Sequence, residues 1–171
     1  MWIKINFENK KILITRLKFI GDIVLTTSLI KTLKMNFPSS KIYYMAEKEA
    51  STLLARNPDL SGLIPLDFSM SNLEYLKFIF RLRKHKFDIV IDLFGNPRSA
   101  LLAYLSGAKV RIGGDFKGRG KLFTHRISET GKRQNQIDYH LGFVERFGVH
   151  NLYKKTKIFL NIYFLNGLNV Y

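Results

Sequence analysis

Residues 11–27 read KILITRLKFIGDIVLTT, and this stretch determines how the rest of the chain is arranged. Lys11–Leu17 is short, apolar and partly β-branched, which predicts a buried strand of a parallel sheet. Residues 18–21 then form a turn, and a helix runs from Asp22 through Asn36. In an open α/β sheet, ligands bind at the carboxyl ends of the strands. Three charged residues of this stretch are therefore expected at the working edge of the sheet: Asp22, Arg16 and Lys18.

Asp22 has two interpretations that the sequence does not separate. An Asp at a helix N-terminus caps backbone N–H groups and is favoured by the helix dipole. A carboxylate at the same position that faces a cleft can serve as a general base. The two roles are compatible, so both stay open here.

The remaining chain continues the alternation of strands and helices. The predicted strands are Lys41–Met45, Leu63–Leu66, Phe87–Phe94 and Lys109–Ile112. The predicted helices are Glu47–Arg56, Asn72–Lys86, Arg98–Leu105 and Gln136–Phe147. This alternation indicates βαβ units with right-handed crossovers. We therefore expect an α/β fold, a Rossmann-like parallel sheet with helices on both faces, over residues 1–150.

The helix predicted over Asn72–Lys86 combines an apolar and a basic face. The apolar face is expected to hold Leu73, Leu76, Ile79 and Phe80, and the basic one Lys77, Arg81 and Lys84. A basic amphipathic helix can lie on an anionic membrane. Docking on the sheet through the apolar face is the commoner arrangement, and it is the one we expect.

Composition and charge restrict the function. The chain has 171 residues and no cysteine, so disulfide and thiol chemistry are excluded. The absence of cysteine fits a cytoplasmic protein, which is the location we expect. No signal peptide or membrane-spanning stretch is recognised. A formal net charge of +15 indicates an anionic partner, namely nucleic acid, anionic lipid or a phosphorylated substrate. The alternative is a solvated basic surface without a specific partner.

The charge is concentrated in residues 77–133, which contain fourteen Lys and Arg against four Asp and Glu. Six of these cations are expected to follow the carboxyl ends of the fourth and fifth predicted strands: Arg98, Arg111, Lys117, Arg119, Lys121 and Arg126. Arginine binds phosphate and carboxylate groups through two parallel hydrogen bonds. The sequence therefore predicts an anion-binding surface there.

Two carboxylates on the predicted fourth strand, Asp88 and Asp92, lie four residues apart and share a face. They could bind a metal, but a structural role is preferred because Asp88 precedes the strand and Asp92 can form hydrogen bonds near its end. The four histidines lack metal-ligand spacing. They are His85, His125, His140 and His150.

Three stretches resemble the motifs of glycosyltransferase family 9, the heptosyltransferases that build the lipopolysaccharide inner core. The first is RLKFIGDIVLTT over residues 16–27. The second, FDIVIDLFGN over residues 87–96 with Arg98-Ser99-Ala100, is similar to the family's YDLVIDLQGN…S segment. The third, from KVRIGG at residues 109–114 to His125-Arg126, is similar to its RIGF…HR segment. The resemblance covers nearly all of residues 11–150.

This resemblance implies a two-domain GT-B fold, of which the chain would supply the N-terminal, acceptor-binding domain. The implied reaction transfers heptose, with inversion, from ADP-heptose or a similar nucleotide-sugar to a lipopolysaccharide inner-core acceptor. Asp22 matches the family's proposed base, and no cofactor or active-site metal is implied. Residues 151–171 would be an interdomain linker or the truncated start of the donor-binding domain. We therefore expect the chain alone to be inactive or nearly so.

A phosphorylated acceptor on a lipid anchor matches the basic side chains. The acceptor-binding candidates are Arg16, Lys18, Arg98, Arg111, His125 and Arg126. Such an acceptor also implies peripheral contact with the anionic inner membrane. Two alternatives stay open, a truncated inactive remnant and a basic non-enzymatic module that binds nucleic acid, for example by base stacking on Tyr43 and Tyr44. No recognised nucleic-acid motif is present, so nucleic acid is not the expected partner.

Overall fold

The computed structural model describes residues 4–115, 118–127 and 135–157. Its strands are β1 (Lys11–Thr15), β2 (Lys41–Glu47), β3 (Gly62–Leu66), β4 (Ile89–Asp92), β5 (Val110–Gly114) and β6 (His125–Ile127). Its α-helices are α1 (Ile20–Leu25), α2 (Thr27–Asn36), α3 (Lys48–Ser51), α4 (Asn72–Lys84), α5 (Pro97–Leu105) and α6 (Gln136–Glu145). Short 3₁₀ turns cover Thr52–Leu54 and Arg119–Leu122.

The strands form one parallel sheet in the order β3-β2-β1-β4-β5-β6. The predicted α/β class and Rossmann-like arrangement are confirmed. Because the chain order reverses between β1 and β4, the connections leave these two strands in opposite directions and open a crevice between them. Thr15 pairs with Asp92 in the register of this pair, so their carboxyl ends lie side by side.

Each face of the sheet carries its own apolar core, because successive residues of a strand point to opposite sides. Ile12 and Ile14 of β1 belong to the core that contains the buried residues of α2 and α6. Leu13 of β1 and Val90 of β4 belong to the core that contains the buried residues of α4 and α5. Both faces of the central strands are thus covered, as their continuous apolar sequence requires.

The connection after β1 differs from the prediction of one helix over residues 22–36. The helix begins two residues earlier, at Ile20, and is interrupted at Thr26, which separates α1 from α2. The Thr26 hydroxyl donates to the Ile23 carbonyl at 2.6 Å and lies 2.7 Å from the Tyr44 hydroxyl. A buried threonine that bonds its own preceding turn and a neighbouring strand explains the interruption.

The predicted helix Glu47–Arg56 was also wrong in part. Strand β2 continues through Glu47, whose N–H donates to the Leu17 carbonyl at 2.9 Å. Only Lys48–Ser51 is α-helical before the chain tightens into the 3₁₀ turn over Thr52–Leu54. The prediction did not include β6, because a three-residue edge strand containing His125 and Arg126 has no apolar run.

Helix α4 packs on the sheet, as expected, but through a face that matches the predicted apolar face only at Ile79. Phe78, Ile79 and Leu82 are buried, whereas Leu73, Leu76 and Phe80 are exposed. Ile79 was predicted correctly, whereas Leu73, Leu76 and Phe80 were wrong, because the helical spacing of the apolar residues fits either face. The buried set meets Leu13, Met45 and Ile64 of the central strands, which supply the larger apolar surface.

Residues after α6 run back along α2. The Tyr153 N–H donates to the Thr32 hydroxyl at 2.8 Å, and the Lys157 N–H donates to the Thr27 hydroxyl at 3.1 Å. Residues 151–171 were predicted to be a linker or the start of a second domain. Residues 158–171 of this segment lie outside the described residues. Within the described part of the chain, no helix is both long and apolar enough to cross a membrane.

Candidate active site at the sheet crevice

The carboxylate of Asp22 is held at the crevice by Arg16. Arg16 follows β1 directly, and its guanidinium donates through Nη2 to Asp22 Oδ2 and through Nη1 to the Leu93 carbonyl at 3.0 Å. The guanidinium also lies 5.2 Å from the ring centroid of Phe94. One side chain thereby joins the end of β1, the end of β4 and the first turn of α1.

The geometry bears on the two interpretations of Asp22. The N-cap of α1 is Phe19, and no side chain caps this helix. Asp22 occupies the first turn, so the helix dipole still favours its charge. Its hydrogen-bonding partner is Arg16, and Oδ1 accepts no hydrogen bond from any described residue. With a quarter of the side chain exposed, this oxygen can accept a proton from a bound hydroxyl.

Two aromatic rings, those of Phe19 and Phe94, lie beside the Arg16 end of the ion pair. Phe19 has a φ of 69°, a conformation that is strained for a bulky side chain, and it is 66% exposed. Its ring centroid lies 6.4 Å from that of Phe94, which follows β4. Ile20 beside it is 60% exposed. Phe19 was not predicted as part of the site, because a positive φ at a non-glycine residue has no sequence signature.

The Asp92 carboxylate holds together the segments that form the crevice. Buried at the end of β4, it accepts hydrogen bonds from the Thr15 and Ser99 hydroxyls, each at 2.8 Å, and from the N–H groups of Phe94 and Gly95. Burial raises the pKa of Asp92, although these hydrogen bonds act in the opposite direction. The carboxylate therefore fixes the loop after β4 against β1, as the structural interpretation predicted.

Asp88 likewise has a structural partner, since its Oδ2 accepts from the Lys11 N–H at 2.9 Å. The two carboxylates thus act separately, Asp88 before β4 and Asp92 at its carboxyl end. Among the described residues, no group of three His, Cys, Asp or Glu side chains is arranged to hold a metal ion.

Two buried titratable residues lie beneath the Arg16–Asp22 pair, and the sequence analysis assigned neither of them to the site. His140 of α6 is 1% exposed, and burial, with a smaller contribution from the Arg16 charge, lowers its pKa to about 4. Burial raises the pKa of Tyr44, whose hydroxyl lies beside that of Thr26. His140 and Tyr44 are consequently neutral at physiological pH, which leaves Arg16 and Asp22 as the charged pair.

Two cations meet over one ring beside the crevice. Lys18 Nζ lies 4.3 Å from the ring centroid of Phe68, and the guanidinium carbon of Arg98 lies 5.5 Å from the same centroid. Arg98 also lies 4.9 Å from the centroid of Tyr75, whose hydroxyl donates to the Arg98 carbonyl at 3.2 Å. All of these residues come from loops and helix starts at the carboxyl edge, so the structure brings Lys18 and Arg98 together.

Arg111 is not where the sequence analysis placed it. It is the second residue of β5 and pairs with Val90, so it precedes the carboxyl end of the strand. Its guanidinium donates to the Leu122 carbonyl at 2.9 Å and to the Ala108 carbonyl at 2.7 Å. These bonds tie the segment after α5 to the turn before β6, which is a structural role away from the crevice.

His125 and Arg126 lie in the edge strand β6, three strands from β1. At about 4.8 Å per strand, this places them about 14 Å from the Asp22 side of the crevice. The ring of His125 packs edge to face with that of Phe147, with 5.2 Å between the ring centroids. Burial lowers the pKa of His125. Arg126 is exposed. Of the other predicted cations, Lys117 lies outside the described residues.

Comparisons with known proteins agree with this architecture. The model of the family "Glycosyltransferase family 9 (heptosyltransferase)" matches residues 75–157. Lipopolysaccharide heptosyltransferase 3 of Escherichia coli is 29% identical over 150 residues, which cover 82% of this chain and 44% of that enzyme. The chain thus spans less than half the length of this curated relative.

Two solved structures share the fold. The family 9 glycosyl transferase of Veillonella parvula superposes with a TM-score of 0.76 at 24% identity, covering 86% of this chain and 44% of that one. The ADP-heptose lipopolysaccharide heptosyltransferase II of Escherichia coli gives a TM-score of 0.70 at 22% identity, covering 87% and 47%. At this level of identity the likeness shows the fold.

Proposed function

Because the chain belongs to glycosyltransferase family 9, of which it represents the N-terminal part, we propose that it is the acceptor-binding half of a heptosyltransferase-like enzyme. The enzyme would transfer heptose from ADP-heptose or a similar nucleotide-sugar to a phosphorylated lipopolysaccharide core. The family 9 relatives named above extend well beyond this chain, and we assign the donor to the part that the chain does not span. The observation that carries the proposal is the Asp22 carboxylate, which Arg16 holds at the crevice through Oδ2 while a quarter of the side chain is exposed.

In the proposed reaction, Asp22 acts as general base toward an acceptor hydroxyl. The hydroxyl proton passes to Oδ1 while the hydroxyl oxygen bonds to the anomeric carbon of the sugar. The bond from that carbon to the nucleoside diphosphate breaks, and the diphosphate leaves with the electron pair. Attack from the side opposite the leaving group inverts the anomeric centre. Arg16 keeps Oδ2 engaged, so one oxygen is oriented and the other receives the proton.

Lys18 and Arg98 are proposed to bind the anionic groups of the acceptor. They lie at the same edge of the sheet as Asp22 and contact one ring, Phe68, which fixes both stems. An Arg fork and a Lys point charge suit phosphate or sugar-acid carboxylate groups. Arg126 is exposed on β6 and stays a candidate for a more distant part of a long acceptor. Arg111 is not part of the proposed site, because backbone carbonyls occupy its guanidinium.

The proposed acceptor is lipid-linked, so peripheral contact with an anionic membrane is part of the proposal. The net charge of +15 favours such contact.

The proposal is tested by acceptor binding to the chain itself. A deacylated, phosphorylated core oligosaccharide is titrated into the protein by calorimetry, with its dephosphorylated form and a single-stranded RNA as comparisons. We expect selective binding of the phosphorylated oligosaccharide. Equal binding of RNA and oligosaccharide with a steep salt dependence would reject the acceptor site in favour of non-specific polyanion binding.

A further inference from the structure

The side of α4 that faces away from the sheet exposes three large apolar residues. Leu73 is 63% exposed, Leu76 is 51% exposed and Phe80 is 66% exposed. At 3.6 residues per turn, they form a stripe opposite Leu82, the centre of the buried side. The outward face of a surface helix normally carries polar residues. A continuous exposed apolar stripe marks an interaction surface instead.

Cations flank this stripe along the length of the helix. Lys77, Arg81 and Lys84 are exposed on one flank. Glu74 in the first turn forms the capping box with Ser71, and its charge also interacts with that of Lys77. Arg81 and Lys84 lie farther along the helix, so three cations face one carboxylate and the helix surface is net positive. An apolar stripe bordered by basic side chains is the pattern of helices that lie in the headgroup region of anionic bilayers.

The stripe begins beside the proposed acceptor site. Helix α4 starts after the loop that carries Phe68, and Tyr75 in its first turn contacts Arg98. A bilayer against the outward face of α4 would therefore hold lipid-linked substrates close to Lys18 and Arg98. This part of the argument rests on the proposed function, whereas the stripe and its flanking charges do not.

We propose that the outward face of α4 docks on an anionic lipid bilayer. Leu73, Leu76 and Phe80 enter the headgroup region, and Lys77, Arg81 and Lys84 contact lipid phosphates. A second copy of the chain is the competing occupant. Pairing two such faces would bring two sets of three cations together, and like charges across an interface oppose association. Charge complementarity thus favours the bilayer.

The test is co-sedimentation of the full chain with phosphatidylcholine vesicles, with and without phosphatidylglycerol. The wild-type chain is expected to bind the anionic vesicles and to bind the neutral ones weakly. The double variant Leu76→Asn/Phe80→Asn should bind anionic vesicles at least about tenfold more weakly, because two exposed apolar side chains that would be buried in the bilayer are lost. Met35→Asn is the matched control, since Met35 is 43% exposed on α2 at the opposite face of the sheet, and it should bind like the wild type.

Two charge-reversal variants distinguish the contribution of the basic residues on α4 from the effect of the total charge of the protein. Lys77→Glu/Lys84→Glu should weaken binding by roughly tenfold or more, because each basic residue at an anionic surface contributes about fivefold. Lys41→Glu/Lys109→Glu removes the same charge from exposed positions elsewhere, and its binding should stay close to the wild type. Circular dichroism confirms that all variants are folded.

Three outcomes would overturn the bilayer assignment. They are equal binding to neutral and anionic vesicles, unchanged binding of the Leu76→Asn/Phe80→Asn variant, and a concentration-dependent dimer that this variant abolishes. Binding of the deacylated core oligosaccharide is measured in parallel. Vesicle binding without oligosaccharide binding would support the docking surface and reject the proposed acceptor site, and the reverse result would reject only the docking surface.

Discussion

The stability of the fold is expected to depend on pH through His140. The pKa of this side chain falls from an ordinary value of 6.5 to about 4 in the folded protein. Its folded pKa is depressed, so the unfolded chain binds a proton at a pH where the folded protein does not. Its contribution to stability is therefore complete above pH 6.5 and is lost as the pH falls toward 4.

The size of the effect follows from linkage. The difference between the two pKa values corresponds to a total of about 3 kcal/mol, of which about 2 kcal/mol is lost between pH 7 and pH 5. The assay is urea unfolding followed by circular dichroism across this range, for the wild type and for His140→Gln. The variant is less stable than the wild type at every pH, because it loses packing. Since only the wild type loses stability through His140, the difference between the two free energies of unfolding should shrink by about 2 kcal/mol as the pH falls from 7 to 5.

Taking the difference between variant and wild type removes the contributions of other titrating groups, including Asp92, whose pKa is shifted upward by burial. The exposed His150 supplies the control, and His150→Gln should follow the wild-type profile. If His140→Gln retains the full wild-type pH dependence, His140 does not remain neutral in the fold. The account of a charged Arg16–Asp22 pair above neutral neighbours would then be wrong.

Three further perturbations test the site and its support. Asp92→Ala should lower the free energy of unfolding by about 3 kcal/mol in urea denaturation, because four donors, three of them in buried hydrogen bonds, lose their acceptor. A loss within about 0.5 kcal/mol, the effect of a surface substitution, would contradict the role assigned to Asp92. Gly113→Ala should destabilise by about 2–3 kcal/mol, since a methyl group there would lie 2.3 Å from Phe123 Cζ. Gly142→Ala, in a helix with nothing within 4 Å, should instead stabilise by about 0.5–1 kcal/mol, and equal effects of the two glycine substitutions would refute the packing argument. Lys18→Ala and Arg98→Ala should each weaken binding of the phosphorylated core oligosaccharide by about tenfold in calorimetry, because each loses one charge-assisted hydrogen bond. The control Lys109→Ala should bind like the wild type, and unchanged affinity in the first two variants would remove Lys18 and Arg98 from the site.

The sheet was predictable because its central strands are continuous apolar runs between turns. The charged residues at the crevice were predictable for a related reason. Arg16, Lys18 and Arg98 all come after strands whose carboxyl ends meet at one edge of the sheet. Arg111 was misplaced because the fifth strand was predicted to end at Ile112, whereas β5 continues to Gly114, so the carboxyl edge lies two residues farther along the chain. Sequence position alone could not reveal that its guanidinium binds backbone carbonyls.

His140 and Tyr44 could not be assigned to the site from the sequence. They belong to α6 and β2, far from Arg16 in the sequence, but in the fold they lie close enough for its charge to affect their pKa values. The main cause of the lowered pKa of His140 and the raised pKa of Tyr44 is burial in the folded core. The outward face of α4 was ambiguous for a different reason. Both of its apolar sets fit a helical period, and only the surface supplied by the sheet selects which one is buried.

The most direct test of the central claim is the kinetic effect of Asp22→Asn in an enzyme that joins this chain to the donor-binding half of a family 9 relative. Sugar transfer to the phosphorylated core is followed by mass spectrometry, and acceptor affinity by calorimetry. Asp59→Asn is the control, because it changes another ion-paired carboxylate, 3.2 Å from Lys31. If Asp22 is the base, its replacement should lower kcat by about 10²–10⁴-fold and leave acceptor affinity within about twofold. Wild-type turnover in the Asp22→Asn enzyme would contradict the account.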